Sequence, residues 1–259
     1  MKTLAVLPSR YAATRFPGKP LAMIAGKPMI QWAWEAARSA AGVDKVVVAT
    51  DDERIQAAVH DFDGQVVMTD PALPSGTDRV AAALEILGEP FDVVLNLQGD
   101  EPAMHPGTIA AVVKLMAEDP TLPMGTAACA FSDPSDLFSP NVVKVVVDDR
   151  KRALYFSRSP IPYLRNSKRF DCDFRPWLQP EQLRLYRRHL GLYAYRPDVL
   201  RAFTQLPPHP LEQIEMLEQL RALAAGIAIG VADTPHISPG VDTPADIPVV
   251  EALLKAGRS

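Results

Sequence analysis

No P-loop stands in this chain. The pattern G-x-x-x-x-G-K-[ST] is missing, and Lys19, which follows Gly18, is itself followed by proline. A phosphate held there needs a different device. Cysteine is almost absent: Cys129 and Cys172 are the only two, and neither belongs to a C-x-x-C pair. Two cysteines make no disulfide framework in a chain of 259 residues. Both read as free thiols in a reducing compartment, so a cytoplasmic location is expected. Long apolar runs are also missing. None approaches the roughly 18–20 residues of a membrane span, and the N-terminus lacks the apolar core of a signal peptide, because Thr3–Leu7 soon meets Arg10. Basic excess is absent too: 27 Lys and Arg against 31 Asp and Glu give a net charge of −4, which excludes the electrostatic footprint of a nucleic-acid binder. An anion would have to be held by a local cluster. Proline, by contrast, is plentiful, 25 residues against a usual share of about 5%. The prolines punctuate junctions and do not cluster, which implies many stiff loops.

The first half alternates short apolar strands with amphipathic helices. Strand-like runs stand at Thr3–Leu7, Lys45–Thr50, Gln65–Thr69 and Phe91–Leu97; helix-like segments at Met29–Ala40, Asp52–Phe62, Thr77–Leu87 and Pro106–Glu118. Such alternation predicts a parallel sheet covered on both faces, with ligands at the carboxyl ends of the strands. The second half changes character. Gly125–Phe131, Val142–Asp148, Ala153–Ser157, His189–Tyr195 and Ile227–Ala232 are strand-like, with a hairpin expected around Asp148-Asp149-Arg150. Leu211–Ala225 predicts one helix with Ile214, Leu217, Leu220 and Leu223 on its apolar stripe, Pro244–Lys255 a closing helix, and Arg165–Arg188 a long loop. There are no internal repeats. The expected organisation is a single unit over 1–259: a nucleotide-binding half at 1–125, a mixed inserted lobe at 126–210, and a C-terminal part at 211–259 that completes the site.

The unusual polar residues follow strand ends. In PSRYAATRFPGKP, Gly18 permits a tight turn, Arg10 and Arg15 offer forked donors matched to phosphate oxygens, and Lys19 offers a compact charge; the alternative is a solvated basic loop. In LNLQGDEP, Gln98, Gly99, Asp100 and Glu101 close an apolar strand. A carboxylate there either holds Mg²⁺, which takes one or two protein carboxylates plus phosphate and water, or caps a helix. Asp242, in PGVDTPAD, is a second candidate acid, although Thr243 and Pro244 also read as an ordinary helix start. In PSGTDR, Ser75, Gly76 and Arg79 could contact a base or an anion, or Ser75 or Thr77 could simply cap the next helix. Arg158 stands just past a strand. His189, Gly191, Tyr193 and Tyr195 share one strand face, and Glu212 lies near Glu215 on a helix.

Taken together, SRYAATRFPGKPL, GKPMIQW, VATDD, SGTDR, NLQGDEP, NVVKVVVD, LYFSRSPIP, RHLGLYAY, PLEQIEMLEQLR and GVDTPAD resemble, in order and spacing, the 3-deoxy-D-manno-octulosonate (Kdo) cytidylyltransferases. The resemblance runs nearly end to end. It implies a Rossmann-like nucleotidyltransferase fold with a mostly parallel central sheet and an inserted mixed α/β lobe for dimerisation and sugar binding. It also implies a homodimer, Mg²⁺ dependence, and transfer of CMP from CTP to Kdo for lipopolysaccharide synthesis. Its 8-amino analogue, or another 2-keto sugar acid such as sialic acid, is the alternative acceptor. By the same resemblance, Lys19, Asp100 and Arg15 are catalytic. Arg10, Arg15, Lys19, Ser75, Gly76, Arg79 and Asp100 hold the nucleotide; Gln98, Arg158, His189, Tyr193 and Glu212 hold the sugar; Asp100 and Asp242 hold the metal. A non-catalytic nucleotide-binding module would have no need of that carboxylate pair. A glycosyltransferase using a nucleotide sugar is disfavoured because the acid follows Gln-Gly instead of forming Asp-x-Asp.

Overall fold

A computed structural model describes residues 1–12, 16–165 and 180–255. Arg15 and Cys172 lie outside the described residues. The elements of the first half are β1 (Thr3–Ser9), β2 (Met23–Ile24), β3 (Lys27–Pro28), α1 (Met29–Ser39), β4 (Lys45–Thr50), α2 (Glu53–His60), β5 (Gln65–Met68), α3 (Gly76–Leu87), β6 (Val93–Asn96), α4 (Pro106–Glu118) and β7 (Met124–Ala130). There follow α5 (Pro134–Phe138), β8 (Lys144–Val147), β9 (Ala153–Ser157), α6 (Pro180–Leu183), β10 (Arg187–Tyr195), α7 (Pro197–Thr204), α8 (Pro210–Glu215), α9 (Gln219–Ala224), β11 (Ile229–Asp233) and α10 (Ile247–Lys255).

The main sheet runs β11-β7-β10-β6-β1-β4-β5. Neighbours β6, β1, β4 and β5 are parallel, as are β7 and β11, whereas β10 runs antiparallel to both β6 and β7. The β8–β9 hairpin branches from the edge of β10. The region 126–210 therefore supplies a central strand as well as an appended hairpin.

Alternation along each strand explains the two cores. Ala5 and Leu7 face a layer with Ile30, Ala36, Ile55, Val59, Ile109 and Val112, from α1, α2 and α4. Leu4 and Val6 face the opposite layer, with Val80, Ala83 and Leu84 of α3, Leu200 and Phe203 of α7, and Leu220 of α9. Continuous apolar runs such as that of β1 are what a strand covered on both faces requires. Helix ends are set locally. Asp52 accepts from Arg54 N at 2.9 Å to cap α2, and Ser75 accepts from Asp78 N at 3.1 Å to cap α3. Gly88, with φ 61°, ends α3 in the left-handed region that glycine tolerates.

Two expectations need correction. The single helix over 211–225 is two short helices, α8 and α9, broken at Met216, whose φ is 53°. Tertiary contacts overrule the periodicity: Arg158 Nε donates to Glu215 O at 2.6 Å, and the Glu215 carboxylate accepts from Ser157 Oγ at 2.6 Å and Arg158 N at 2.9 Å. Ile214, assigned to the apolar stripe, is exposed, while Leu217 and Leu220 are buried. Of the long loop expected over 165–188, residues 166–179 lie outside the described residues; in the remainder α6 forms at 180–183 and β10 begins at Arg187. The helix α7, opened by Pro197, was not expected from the sequence.

Candidate active site

The carboxyl ends of β1 and β6 lie side by side because Gly99 lets them. A Cβ on Gly99 would stand 3.0 Å from Ser9 Oγ and 3.3 Å from Ile30 Cδ1. Beyond β1 the chain turns at Gly18, in the left-handed region at φ 71°, where Gly18 N donates to Tyr11 O at 2.9 Å. The following 3-10 turn, Lys19–Leu21, aims Lys19 back at the strand ends. Its Nζ lies 2.7 Å from Asp100 Oδ2 and 3.7 Å from Asp242 Oδ1. Asp242 arrives from far along the chain because Val241 N donates to Asp100 O at 2.9 Å, which stitches the 239–243 loop to the end of β6.

Around this pair lies a cavity of about 400 Å³ whose wall includes Arg10, Lys19, Ser75, Gly76, Arg79, Gln98, Asp100 and Asp242. Every residue predicted to hold nucleotide or metal is present except Arg15, which is not described. Some have structural duties too. Arg10 donates to Leu73 O and so ties the 70–74 loop to β1. Ser75 caps α3 and donates to Asp78 Oδ2 at 2.6 Å. Arg79 is fully buried, bonded to Thr69 Oγ1 and 3.1 Å from Asp51 Oδ2, so its guanidinium braces the ends of β4 and β5 as it walls the cavity. Its Nε has no partner among the described residues.

Two further cavities adjoin the first. One, of about 470 Å³, shares Asp100 and Asp242 with it and adds Glu101, Asn141, Arg188, His189, Gly191, Ser238 and Asp246. Burial, and after it the charge of Asp100, pushes the Glu101 carboxyl up to about 8. The other, of about 700 Å³, shares Ser75, Gly76 and Gln98 and adds Glu212, Glu218 and Arg221. The carboxylate pair thus stands where the first cavity meets the second, and Gln98 where it meets the third.

The predicted sugar contacts are dispersed. Gln98 lines two cavities. His189 lines the second, its Nε2 2.9 Å from Thr126 Oγ1, and burial drives its pKa down to about 3, so it is neutral. Tyr193, half-buried beside His189, lines none of the three cavities. Nor does Arg158, whose guanidinium donates to the carbonyls of Glu215, Pro140 and Met216 at 2.6, 2.8 and 3.3 Å. Glu212 lines the third cavity but is gripped by Arg221 at 2.5 and 2.7 Å, which holds its carboxyl below the usual range. Side chains that sequence reasoning passed over include Arg188 and Glu218, which line the second and third cavities. Lys144 is another: fully buried, its Nζ donates to the carbonyls of Ser139, Val142 and Arg158 at 2.9, 2.7 and 2.5 Å. A lysine inside the β-branched run NVVKVVVD was the available signal for it.

A mostly parallel α/β sheet, a cationic turn after the first strand, and two carboxylates converging on one point at the strand ends define a nucleotidyltransferase. Residues 4–229 match the cytidylyltransferase family model. The chain is 48% identical to the 3-deoxy-manno-octulosonate cytidylyltransferase of Syntrophotalea carbinolica, over 98% of this chain and 99% of that one. It is 46% identical to the protein of that name from Escherichia coli, over 98% and 96% of the two chains. A solved structure of CMP:2-keto-3-deoxy-manno-octonic acid synthetase complexed with CTP aligns with a TM-score of 0.88 at 45% identity, covering 99% of each chain. The chain belongs to the 3-deoxy-manno-octulosonate cytidylyltransferase family. A cytidylyltransferase from Leptospira borgpetersenii shares the fold alone, with a TM-score of 0.62 at 12% identity over 100% of this chain and 89% of that one.

Proposed function

We propose that this chain transfers CMP from CTP to Kdo, releasing diphosphate and activating the sugar for lipopolysaccharide synthesis. The observation that carries the reading is the placement of Lys19, on the wall of the first cavity, between Asp100 and Asp242, at 2.7 and 3.7 Å, the two acids that this cavity shares with the second. Family membership supplies the substrates. The anomeric hydroxyl of the sugar attacks the α-phosphorus; a P–O bond forms there, the bond to the bridging oxygen breaks, and diphosphate leaves with that electron pair. The hydroxyl's proton passes to solvent water. Positioning and charge stabilisation carry such a transfer.

Lys19 and Arg10 line the cavity where the triphosphate lies and offset charge growing on the diphosphate; Arg15 is assigned there by resemblance alone. Ser75, Gly76 and Arg79 border the same cavity and are assigned to the base. The residues fit Mg²⁺: two hard carboxylates already converge on a cation, the ammonium of Lys19. No group of three or more metal-ligating side chains occurs among the described residues, which suits an ion whose remaining positions are filled by phosphate and water. Bound by Asp100 and Asp242, it would lower the pKa of the sugar hydroxyl and neutralise phosphate charge.

Gln98 is assigned to the sugar from its place on the cavity wall. Arg158, His189, Tyr193 and Glu212 are assigned to it by resemblance; the polar groups of Arg158, His189 and Glu212 are engaged with protein. A homodimer in the cytoplasm completes the reading, supported by the family resemblance and, for the compartment, by the scarcity of cysteine. No helix among the described residues is long and apolar enough to cross a membrane. Incubation with CTP, Mg²⁺ and either Kdo or its 8-amino analogue, followed by the mass of the product, tests the proposal. CMP-Kdo is expected; turnover of the amino sugar alone would move the assignment to that substrate, and no product from either would overturn it.

A further inference from the structure

Gln98 stands on the wall between two cavities, and an amide offers a donor at one end and an acceptor at the other. A row of hydrogen bonds running back from it decides which end faces the cavity. Gln98 Nε2 donates to Asn96 Oδ1 at 3.2 Å. Asn96 Nδ2 donates to Thr77 Oγ1 at 3.2 Å. Thr77 Oγ1 donates to Glu218 Oε2 at 2.6 Å. Asn96 and Thr77 are buried, and Glu218 is half-buried.

The direction follows from the last member. Burial pushes the Glu218 carboxyl up, against the hydrogen bonds from Thr77 and Ser75 and the charge of Arg221; in its ionised form a carboxylate only accepts, so the one hydroxyl proton of Thr77 is committed to it. Thr77 can then only accept from Asn96, which must turn its amino end toward Thr77 and its carbonyl toward Gln98. Gln98 in turn gives up its amino end, and its carbonyl oxygen, with no protein partner among the described residues, is left for the cavity. Without an acceptor at position 218 the row has no end that only accepts, because the remaining neighbour of Thr77, the Tyr195 hydroxyl, can donate as well as accept and imposes no direction. The Thr77 proton is free to point at Asn96, both amides can turn over, and Gln98 then offers a donor.

We propose that Glu218 is a positioning residue which, through Thr77 and Asn96, fixes the Gln98 amide with its carbonyl toward the substrate, as an acceptor for a sugar hydroxyl. The proposal rests on the reading of Gln98 as a sugar contact. Glu218 comes from the start of α9, Thr77 from α3 and Asn96 from β6, so the row joins the C-terminal part of the chain to the centre of the sheet.

Three variants test it. Glu218→Met removes the terminal acceptor, Thr77→Val breaks the next link with little change of shape, and Glu218→Gln keeps an acceptor while removing the charge. KM for Kdo is expected to rise about tenfold in Glu218→Met and Thr77→Val, the scale of one misdirected hydrogen bond. KM for CTP should stay within about twofold, and Glu218→Gln should restore the Kdo value. In nitrogen-15 spectra of the ligand-free protein, the side-chain amide signals of Asn96 and Gln98, assigned by their loss in Asn96→Ala and Gln98→Ala, should move in the first two variants and stay in place in the third. Unmoved signals in Thr77→Val would overturn the proposal. So would equal rises in both KM values accompanied by a fall in Tm, which would leave Glu218 a merely structural residue. Signals that move while KM for Kdo does not would uphold the row of bonds and reject Gln98 as the sugar contact.

Discussion

Replacing Lys19 by methionine should move metal binding and turnover in opposite directions. The ammonium occupies ground that a divalent cation needs, 2.7 Å from Asp100 and 3.7 Å from Asp242. The Lys19 side chain is 11% exposed, those of Asp100 and Asp242 42% and 52%. Exposed ion pairs contribute about 0.2–1 kcal/mol, and the enclosed ammonium puts this one near the top of that range. A metal ion entering the nucleotide-free protein must displace it, so Lys19→Met should tighten Mg²⁺ binding by about fivefold, the equivalent of about 1 kcal/mol. Turnover should fall, because the same ammonium then no longer meets the leaving diphosphate. One charge-assisted hydrogen bond is worth about 1.5–3 kcal/mol, or roughly 10- to 150-fold in kcat/KM. Affinity for CMP, which lacks those phosphates, should hardly change. Calorimetric titration with Mg²⁺ and with CMP, alongside a diphosphate-release assay, reads all three quantities. Weaker metal binding in the variant would refute the assignment of Asp100 and Asp242 to the metal. Equal losses of CMP and CTP affinity would make Lys19 a general α-phosphate or structural contact.

Asp100→Asn should abolish turnover while leaving Tm within a few degrees, since an amide replaces a charged oxygen ligand poorly; near-normal rates at limiting Mg²⁺ would exclude the metal role. Arg79→Met leaves the Asp51 carboxylate, 17% exposed, without its partner. It should cost about 3–5 kcal/mol in urea unfolding, and a cost under about 1 kcal/mol would show that Arg79 does not brace the strand ends. His189 titrates near 3 in the folded protein because burial opposes its charge, and near 6.5 when unfolded. Its contribution to stability is therefore complete above about pH 6.5 and is lost as pH falls toward 3, by at most about 1.4 kcal/mol per pH unit. His189→Asn should flatten that slope in urea melts between pH 6.5 and 4.5, and an unchanged slope would mean that other groups set the acid sensitivity.

Strands of the first half were legible because β1, β4 and β6 each hold a continuous apolar run, Leu4–Leu7, Val46–Ala49 and Val93–Leu95. The Lys144 hairpin was legible from Asp148-Asp149-Arg150, and Lys151 N does donate to Asp148 O at 2.9 Å. The pairing of Asp100 with Asp242 was visible only through family motifs: nothing local at Asp242 distinguishes it from a helix start, and the backbone bond from Val241 to Asp100 that brings the two acids together is a tertiary fact. The break at Met216 was invisible for the same reason, since Leu211–Ala225 has sound helical periodicity and the carbonyls that Arg158 captures belong to a different element. The row from Glu218 to Gln98 could not be read either. Its members lie on three elements, and the direction of each bond is set by the one before it.

The antiparallel strand at the centre of the sheet has a consequence for synthesis. Among the described residues strand β7 pairs only with β10 and β11, both made later, yet six of its seven residues are buried in the finished protein. A chain leaving the ribosome therefore carries Met124–Ala130 as an apolar strand with neither edge covered until Tyr195 has emerged. At translation rates of about 5–20 residues per second, that is roughly 3–13 seconds. Unpaired strand edges recruit other chains, and the segment that relieves this one also closes the gap beside β6. Fragments ending before Arg187 would hold the turn after β1 and the Gln98–Asp100 bend on the β6-β1-β4-β5 sheet, but would lack Asp242 and leave β7 apart from that sheet. The cavity around Lys19 and Asp100 is completed later still, because Asp242 on its wall is made only after β10.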